Sequence, residues 1–243
     1  MKNNGKKAIV MGATSGIGLE VAMLLSRRGW HVGVAGRRTS LLEDMKNEGY
    51  ASHSATIDVT TDDAPQRLKV LIDEMGGIDL YLHCSGIGWQ NPELSPDKEL
   101  ATIETNALGF TRMIDTVFAH FREHGGGHIA VVSSIAGTKG LGVAPAYSAT
   151  KRFQNTYTDA LAKLSRMQHL NISFTDIRPG FVDTALINGS NFPMKMNATY
   201  VAASIVKAIE KRKRTIVIDW HYRLLTFFWR LIPEWIWERM TIG

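Results

Sequence analysis

Gly12-Ala13-Thr14-Ser15-Gly16-Ile17-Gly18 follows the short apolar run 8–11 and opens a pattern in which Ile17, Val21, Leu24 and Leu25 recur at helical spacing until Gly29. Glycines between a strand and a helix allow a tight turn and let a phosphate approach the backbone. A helix starting near Ile17 offers free N–H groups and a positive dipole end to a pyrophosphate. Three glycines alone say little. Their place after the first strand makes Gly12, Thr14, Ser15, Gly16, Ile17 and Gly18 candidate nucleotide-binding residues.

Working outward, residues 31–35 read as a second strand that ends in Ala35-Gly36-Arg37-Arg38. An acid at this strand end would bind a ribose 2′-hydroxyl. Gly36 holds that place and two arginines follow, which favours a 2′-phosphate and hence NADP(H), with Arg37 and Arg38 as its ligands. Ser40 and Glu43 are spaced as a capping box, so a helix is expected to start there with Ser40 as its N-cap. Strands are expected at 55–59, 80–84, 129–133, 172–177 and 215–218. Helices are expected at 64–75, 146–167 and 200–211. A short helix should open at Ser95-Pro96, and a separate long one should run over 100–124 until Gly125-Gly126-Gly127. Alternating strands and helices predict an α/β fold: a Rossmann-type, doubly wound parallel sheet of about seven strands with helices on both faces.

The 243 residues suit one such domain, here 1–219, with a short appendage over 220–243. Hydrophobic residues make up 44% and charged residues 21%, which excludes a disordered chain. A single cysteine, Cys84, excludes an internal disulfide framework and fits a reducing, cytoplasmic setting. Cys84 itself reads as a packed, inert thiol. The net charge of +5 is spread along the chain, with one dense cluster at Lys211-Arg212-Lys213-Arg214, so no nucleic-acid partner is indicated. The histidines show no metal-ligand spacing, and no metal is expected.

Later motifs resemble the short-chain dehydrogenase/reductase family over about residues 6–218. The Gly12–Gly18 turn matches its opening motif. Asp58, followed by Val59, matches its adenine-side aspartate. His83-Cys84-Ser85-Gly86 stands where the family has Asn-Asn-Ala-Gly and keeps only Gly86. Asn106, Ser134, Tyr147 and Lys151 occupy the four catalytic positions. Pro179-Gly180, continuing through Val182 to Thr184, matches the segment that meets the nicotinamide. The resemblance implies binding of NADP(H) and hydride transfer between an alcohol and a ketone. It also implies a homodimer or homotetramer built on the helices that carry Asn106 and Tyr147, and a substrate lid over 186–197 that includes Gly189, Ser190, Asn191, Met194 and Met196.

The chemistry accounts for these residue types. Reducing a ketone requires a proton for the developing alkoxide. A free phenol, with a pKa near 10, is too weak an acid–base group for neutral pH. Lys151 lies one helical turn from Tyr147, so its ammonium stabilises the phenolate. The resemblance makes Tyr147 the acid/base, Ser134 the donor to the carbonyl oxygen, Lys151 also a ribose ligand, and Asn106 the holder of a relay water. A non-catalytic NADP-binding regulator is the rival reading, but it would tend to lose these residues.

Four of the six tryptophans, Trp220, Trp229, Trp235 and Trp237, fall in the last 24 residues. Pro233 divides this segment into two short helical pieces, and its apolar runs are too short to span a bilayer. Packing on the chain's own body is the simplest reading. The segment could instead fold over the substrate pocket, join a second subunit, or lie at the inner face of a membrane as a peripheral contact with Lys211–Arg214 near the headgroups. Each of these makes an apolar substrate the expectation: a steroid, a long-chain ketone or a sphingoid-like ketone.

Overall fold

A computed structural model describes residues 5–184 and 194–240. Seven parallel strands form one sheet: β1 (Lys7–Met11), β2 (His31–Gly36), β3 (His53–Thr56), β4 (Leu80–His83), β5 (Gly127–Val132), β6 (Ile172–Arg178) and β7 (Thr215–Val217). Their order is β3-β2-β1-β4-β5-β6-β7. In β1, Ala8 and Val10 enter one core layer with Val21, Leu25, Val201 and Ile205. Ile9 and Met11 enter the opposite layer with Leu68, Phe110, Val117 and Phe174. Side chains alternate along a strand, so a strand covered on both faces must be apolar throughout. That is why 8–11 reads as an unbroken apolar run.

Helices α1 (Gly16–Arg27), α2 (Thr39–Asn47), α3 (Ala64–Glu74), α4 (Pro96–Ile103), α5 (Phe110–Glu123), α6 (Pro145–Met167) and α7 (Ala198–Glu210) connect the strands. β1 pairs with both β2 and β4, and the chain changes direction across the sheet between β3 and β4. Loops leaving the C-terminal ends of β1 and β4 therefore part and leave a crevice, where open α/β sheets bind ligands.

Three expectations need correction. The capping box does not form: α2 starts at Thr39 with Arg38 as its N-cap, so Ser40 lies inside the helix. Glu43 accepts instead from Ser54 Oγ at 2.6 Å and Lys46 Nζ at 3.2 Å. The two helices expected around residue 100 are one continuous run, in which α4 passes through a π-helical segment, Glu104–Gly109, into α5. Gly109 allows it, because a Cβ there would lie 2.8 Å from the carbonyl oxygen of Val59. Wide turns of this kind occur often at functional sites, and this one carries Asn106. The third strand, expected over 55–59, runs instead over His53–Thr56, since Asp58 turns the chain away by accepting from Thr60 N and Oγ1.

Beyond β7 come α8 (Trp220–Leu231) and, after Pro233, α9 (Glu234–Trp237). Asp219 caps α8 by accepting from His221 N at 2.9 Å. Tyr222 joins the core beside Ile177 and Val182. Lys211–Arg214 precede β7 and the aromatic helix follows it, so the basic cluster and the aromatics leave opposite ends of the strand. Arg214 is occupied by Asp159 and by Thr158 O, and Arg212 by Ser173.

Candidate active site

The phosphate-type loop is shaped by close contacts that only glycine permits. Gly12 has φ +85°, and a Cβ on it would come within 2.7 Å of Ser85 N. A Cβ on Gly18 would collide with Gly12 O, so the start of α1 rests directly on the turn. Ser15 stands at the N-cap of α1 without its side chain capping it. Its hydroxyl accepts from Arg38 Nη2 at 2.7 Å, and Thr14 Oγ1 accepts from Arg38 Nη2 and Nε at 2.6 and 3.0 Å. Arg38 thus lies across the loop from the end of β2, while Arg37 is exposed beside it. Backbone bare of Cβ atoms, an uncapped helix start, two hydroxyls and a guanidinium make a donor set that fits a phosphorylated nucleotide.

Around this loop the remaining cofactor candidates divide. Thr184 faces Gly16, where a Cβ would meet its Cγ2 at 3.0 Å. Pro179 O accepts from Ile135 N at 3.1 Å. Val182 is buried and forms a parallel bridge with Met196. Val59 is buried against Gly109, away from open space. Ile17 is half-buried and packs on the core. Of the expected lid, residues 186–193, Gly189, Ser190 and Asn191 among them, lie outside the described residues.

The altered motif after β4 has its own local logic. His83 is buried, with Nδ1 3.0 Å from Tyr81 Oη and its ring edge-on to Phe110 at 5.2 Å. Burial first, and the Lys151 charge second, push its pKa down to about 3, so the imidazole is neutral. Burial pushes the Cys84 thiol up to about 12, which makes it a poor nucleophile. Gly86 faces two of the candidate catalytic groups: a Cβ there would lie 3.2 Å from Asn106 Oδ1 and 3.5 Å from Lys151 Nζ.

Tyr147 and Lys151 project from the same face of α6, with Nζ 5.7 Å from the phenol ring centroid. Lys151 is buried and donates to Val132 O and Gln154 Oε1, both at 3.1 Å. Desolvation lowers its pKa from 10.5 to about 8, while Cys84 and Asp176 act in the opposite direction. Burial raises the Tyr147 pKa, and a hydrogen bond with Ser134 opposes the shift. Ser134 Oγ also accepts from Ala136 N at 3.1 Å, capping the 3-10 turn Ile135–Thr138. The structure therefore brings Ser134, Tyr147, Lys151 and Asn106 together above the ends of β4 and β5.

Asn106 is fully buried and works here as a clamp. Its Oδ1 accepts from Ile87 N at 2.9 Å and its Nδ2 donates to Ile87 O at 2.6 Å. Its backbone oxygen accepts from Gln154 Nε2 at 2.9 Å. A water on that oxygen would share it with the amide.

Several contacts escaped sequence reading. Gly88 lies under the Tyr147 ring, and a Cβ there would overlap Cδ2. Ser133 Oγ donates to Asp176 Oδ1, and Asp176 pairs with Arg178 at 2.6 Å, joining the ends of β5 and β6 below Lys151. Gly180 is covered by the ring of Tyr222, whose hydroxyl donates to Met194 O at 3.0 Å. Lys139 Nζ donates to Ile232 O and Trp237 Nε1 to Gly140 O, at 3.0 and 2.7 Å. The C-terminal segment thus holds the segments that follow β5 and β6. Only the Gly86-x-Gly88 repeat was a visible signal; the other contacts join residues far apart in sequence. Among the described residues, no group of three His, Cys, Asp or Glu is placed to hold a metal ion.

The model of the short chain dehydrogenase family matches residues 6–194. The chain belongs to the short-chain dehydrogenase/reductase family. It is similar to an uncharacterized oxidoreductase of Myxococcus xanthus, 32% identical, with 94% of this chain and 93% of that protein covered. A short-chain type dehydrogenase/reductase from Mycobacterium ulcerans superposes with a TM-score of 0.78 at 21% identity, covering 92% of each chain. A variant of actinorhodin polyketide ketoreductase, solved with NADPH, superposes with a TM-score of 0.76 at 24% identity, covering 90% of this chain and 97% of that one. The protein is an oxidoreductase of this family, whose members use a nicotinamide cofactor and act on small-molecule substrates.

Proposed function

We propose that the protein is an NADP(H)-dependent reductase that interconverts a secondary alcohol and a ketone. The observation that carries this reading is the placement of Ser134, Tyr147 and buried Lys151 beside a phosphate-type loop crossed by Arg38. NADPH, when bound, supplies the hydride to the carbonyl carbon. Ser134 donates a hydrogen bond to the carbonyl oxygen. The Tyr147 O–H bond breaks as that oxygen takes the proton, which leaves a phenolate. The Lys151 ammonium stabilises the phenolate through a medium from which water is largely excluded. In the oxidative direction the phenolate takes the proton back.

Arg38, the absence of an acid at Gly36 and the ketoreductase solved with NADPH support the 2′-phosphorylated cofactor. Thr14, Ser15, Gly16 and the start of α1 hold the pyrophosphate in this reading. Asp58 lies at the adenine end, and Pro179–Thr184 at the nicotinamide end. A homodimer or homotetramer is supported by exposed Leu100, Ile103 and Leu108 on the Asn106-bearing run and Phe153 on α6.

The tail supports an apolar substrate and a peripheral membrane contact. Trp220, Leu224, Phe227, Phe228 and Leu231 form one exposed stripe of α8, continued by Trp235. α8 carries Arg223 and Arg230 and no acidic residue, as an interfacial helix on an anionic surface would. Among the described residues, no helix is long and apolar enough to cross a membrane.

The test is oxidation of NADPH against steroid, sphingoid, long-chain and small polar ketones, with NADH in parallel. Turnover of an apolar ketone with NADPH preferred is expected. NADPH binding without turnover of any ketone would favour the regulator, and preference for NADH would overturn the role given to Arg38.

A further inference from the structure

Gln154 lies one turn beyond Lys151 on α6, has no solvent exposure, and connects two of the four catalytic positions. Its Nε2 donates to Asn106 O at 2.9 Å, and its Oε1 accepts from Lys151 Nζ at 3.1 Å. The chemistry of the partners fixes which way the amide points. Asn106 O can only accept, so it must meet the NH2 group. The oxygen is then turned to the ammonium. The flipped amide would set donor against donor at Lys151 and acceptor against acceptor at Asn106. A buried amide with either end unpaired would be costly. The π-helical segment and α6 therefore hold one side chain in one orientation, and that orientation holds Lys151.

We propose that Gln154 is a positioning residue that pins the Lys151 ammonium and sets the pH range over which the site works. This rests on the catalytic reading above. An acceptor facing an ammonium favours its charged form. The amide supplies this without adding a charge. Two of the three ammonium protons are taken, by Gln154 and Val132 O, and one remains to face the cleft. The amide accepts at its oxygen and donates at its nitrogen, so passing a proton through it would require the imidic-acid tautomer, which water does not need. The chain Lys151–Gln154–Asn106 therefore transmits orientation, with Lys151 acting as a fixed charge.

The other groups facing Lys151 are few. Neutral His83 and the protonated thiol of Cys84 come from the end of β4. Asp176, ion-paired with Arg178, comes from β6, and Tyr147 comes from α6 itself. Because Gln154 is the one that touches the ammonium with a free choice of residue type, it is the natural lever on the Lys151 titration.

The experiment is carbon NMR of the full-length, cofactor-free protein labelled at the lysine ε-carbon, with Lys151→Arg assigning the signal. Gln154→Met and Gln154→Leu remove the acceptor in two shapes, so a packing failure in one leaves the other. Either should lower the Lys151 titration by about one pH unit, and Gln154→Glu should raise it by about one. The basic limb of kcat/KM should move in the same two directions. A purely structural role would not produce shifts of opposite sign. An unchanged Lys151 titration in the Met or Leu variant together with the Glu variant overturns the proposal, whatever the enzyme acts on. Opposite shifts in a protein that turns over no ketone would overturn the catalytic reading and leave the hold of Gln154 on Lys151 standing.

Discussion

The face of α6 that carries Tyr147 and Lys151 and the C-terminal helix α8 are held by different physics. Lys151, Gln154 and Asn106 are buried polar groups, each fixed by hydrogen bonds whose partners lie within the site. α8 is held by shape: the ring of Tyr222 fills the space that Gly180 leaves open, with donors reaching carbonyls at Met194, Ile232 and Gly140. Polar networks fix atoms closely and fail steeply when one partner is lost. Packed rings tolerate change at their edges and fail when volume is removed. Substitutions in the two regions should therefore fail in different observables, one in chemistry and the other in stability.

The largest expected effect is in the first region. Tyr147→Phe keeps the ring over Gly88 and removes the proton. Turnover should fall at least about 10³-fold, while NADPH affinity, read by fluorescence quenching, stays near wild type. Residual activity near wild type would mean that another group supplies the proton.

In the second region, Tyr222→Ala empties the space over Gly180 and should cost about 3–4 kcal/mol, seen as a lower denaturant midpoint. Tyr222→Phe keeps the ring and loses the hydroxyl's hydrogen bonds, to Met194 O and with the Phe181 backbone, a cost of about 1–2 kcal/mol. If Ala and Phe cost the same, the hydrogen bonds dominate and the contrast between the regions is wrong. Between these in character, Arg38→Ala should raise the KM for NADPH roughly 30-fold and leave that for NADH nearly unchanged, since one charged hydrogen-bonding partner of the 2′-phosphate is removed.

The same contrast explains what was legible in the chain. The sheet could be read because buried parallel strands are apolar throughout and glycines punctuate their ends. Gly12–Gly18, Ser134, Tyr147 and Lys151 stood out as candidates because the chemistry proposed for them demands particular residue types at fixed spacing. The π-helical segment could not, because it depends on Gly109 meeting Val59 across 50 residues. The false capping box shows the limit of local pattern: Ser40 and Glu43 have the right spacing, but Ser54 and Lys46 take the carboxylate. Gln154 and Tyr222 look like ordinary helix residues, and their partners appear only once α6 meets the π-helical segment and α8 meets the end of β6.

Lys151 itself should cost the apo protein stability. Its folded pKa of about 8 lies below its ordinary value of 10.5, so the unfolded chain binds more protons between these pH values. Stability therefore rises with pH across that window, and the full cost is present below about pH 8. Lys151→Met should abolish turnover yet stabilise the protein at pH 7 by roughly 1–2 kcal/mol, the gain being reduced by the acceptors left unpaired at Val132 and Gln154. The gain should shrink towards pH 10. A destabilised variant at pH 7 would mean that the hydrogen bonds outweigh desolvation.

The smallest effect on stability is expected on the outward face of α8, and it separates the two sides of one helix. Phe227→Ser with Phe228→Ser alters side chains that are more than half exposed and leaves Tyr222 and Thr226 in place. The denaturant midpoint should move by no more than about 0.5 kcal/mol, and small soluble ketones should turn over as before. If the stripe meets a membrane, co-sedimentation with anionic vesicles should fall several-fold while subunit number is unchanged. If it meets a second subunit, subunit number should fall and vesicle binding should be negligible throughout. A large loss of stability in the absence of either change would show that the outward stripe packs on the chain's own body, and that the inner and outer faces of α8 are one structural unit.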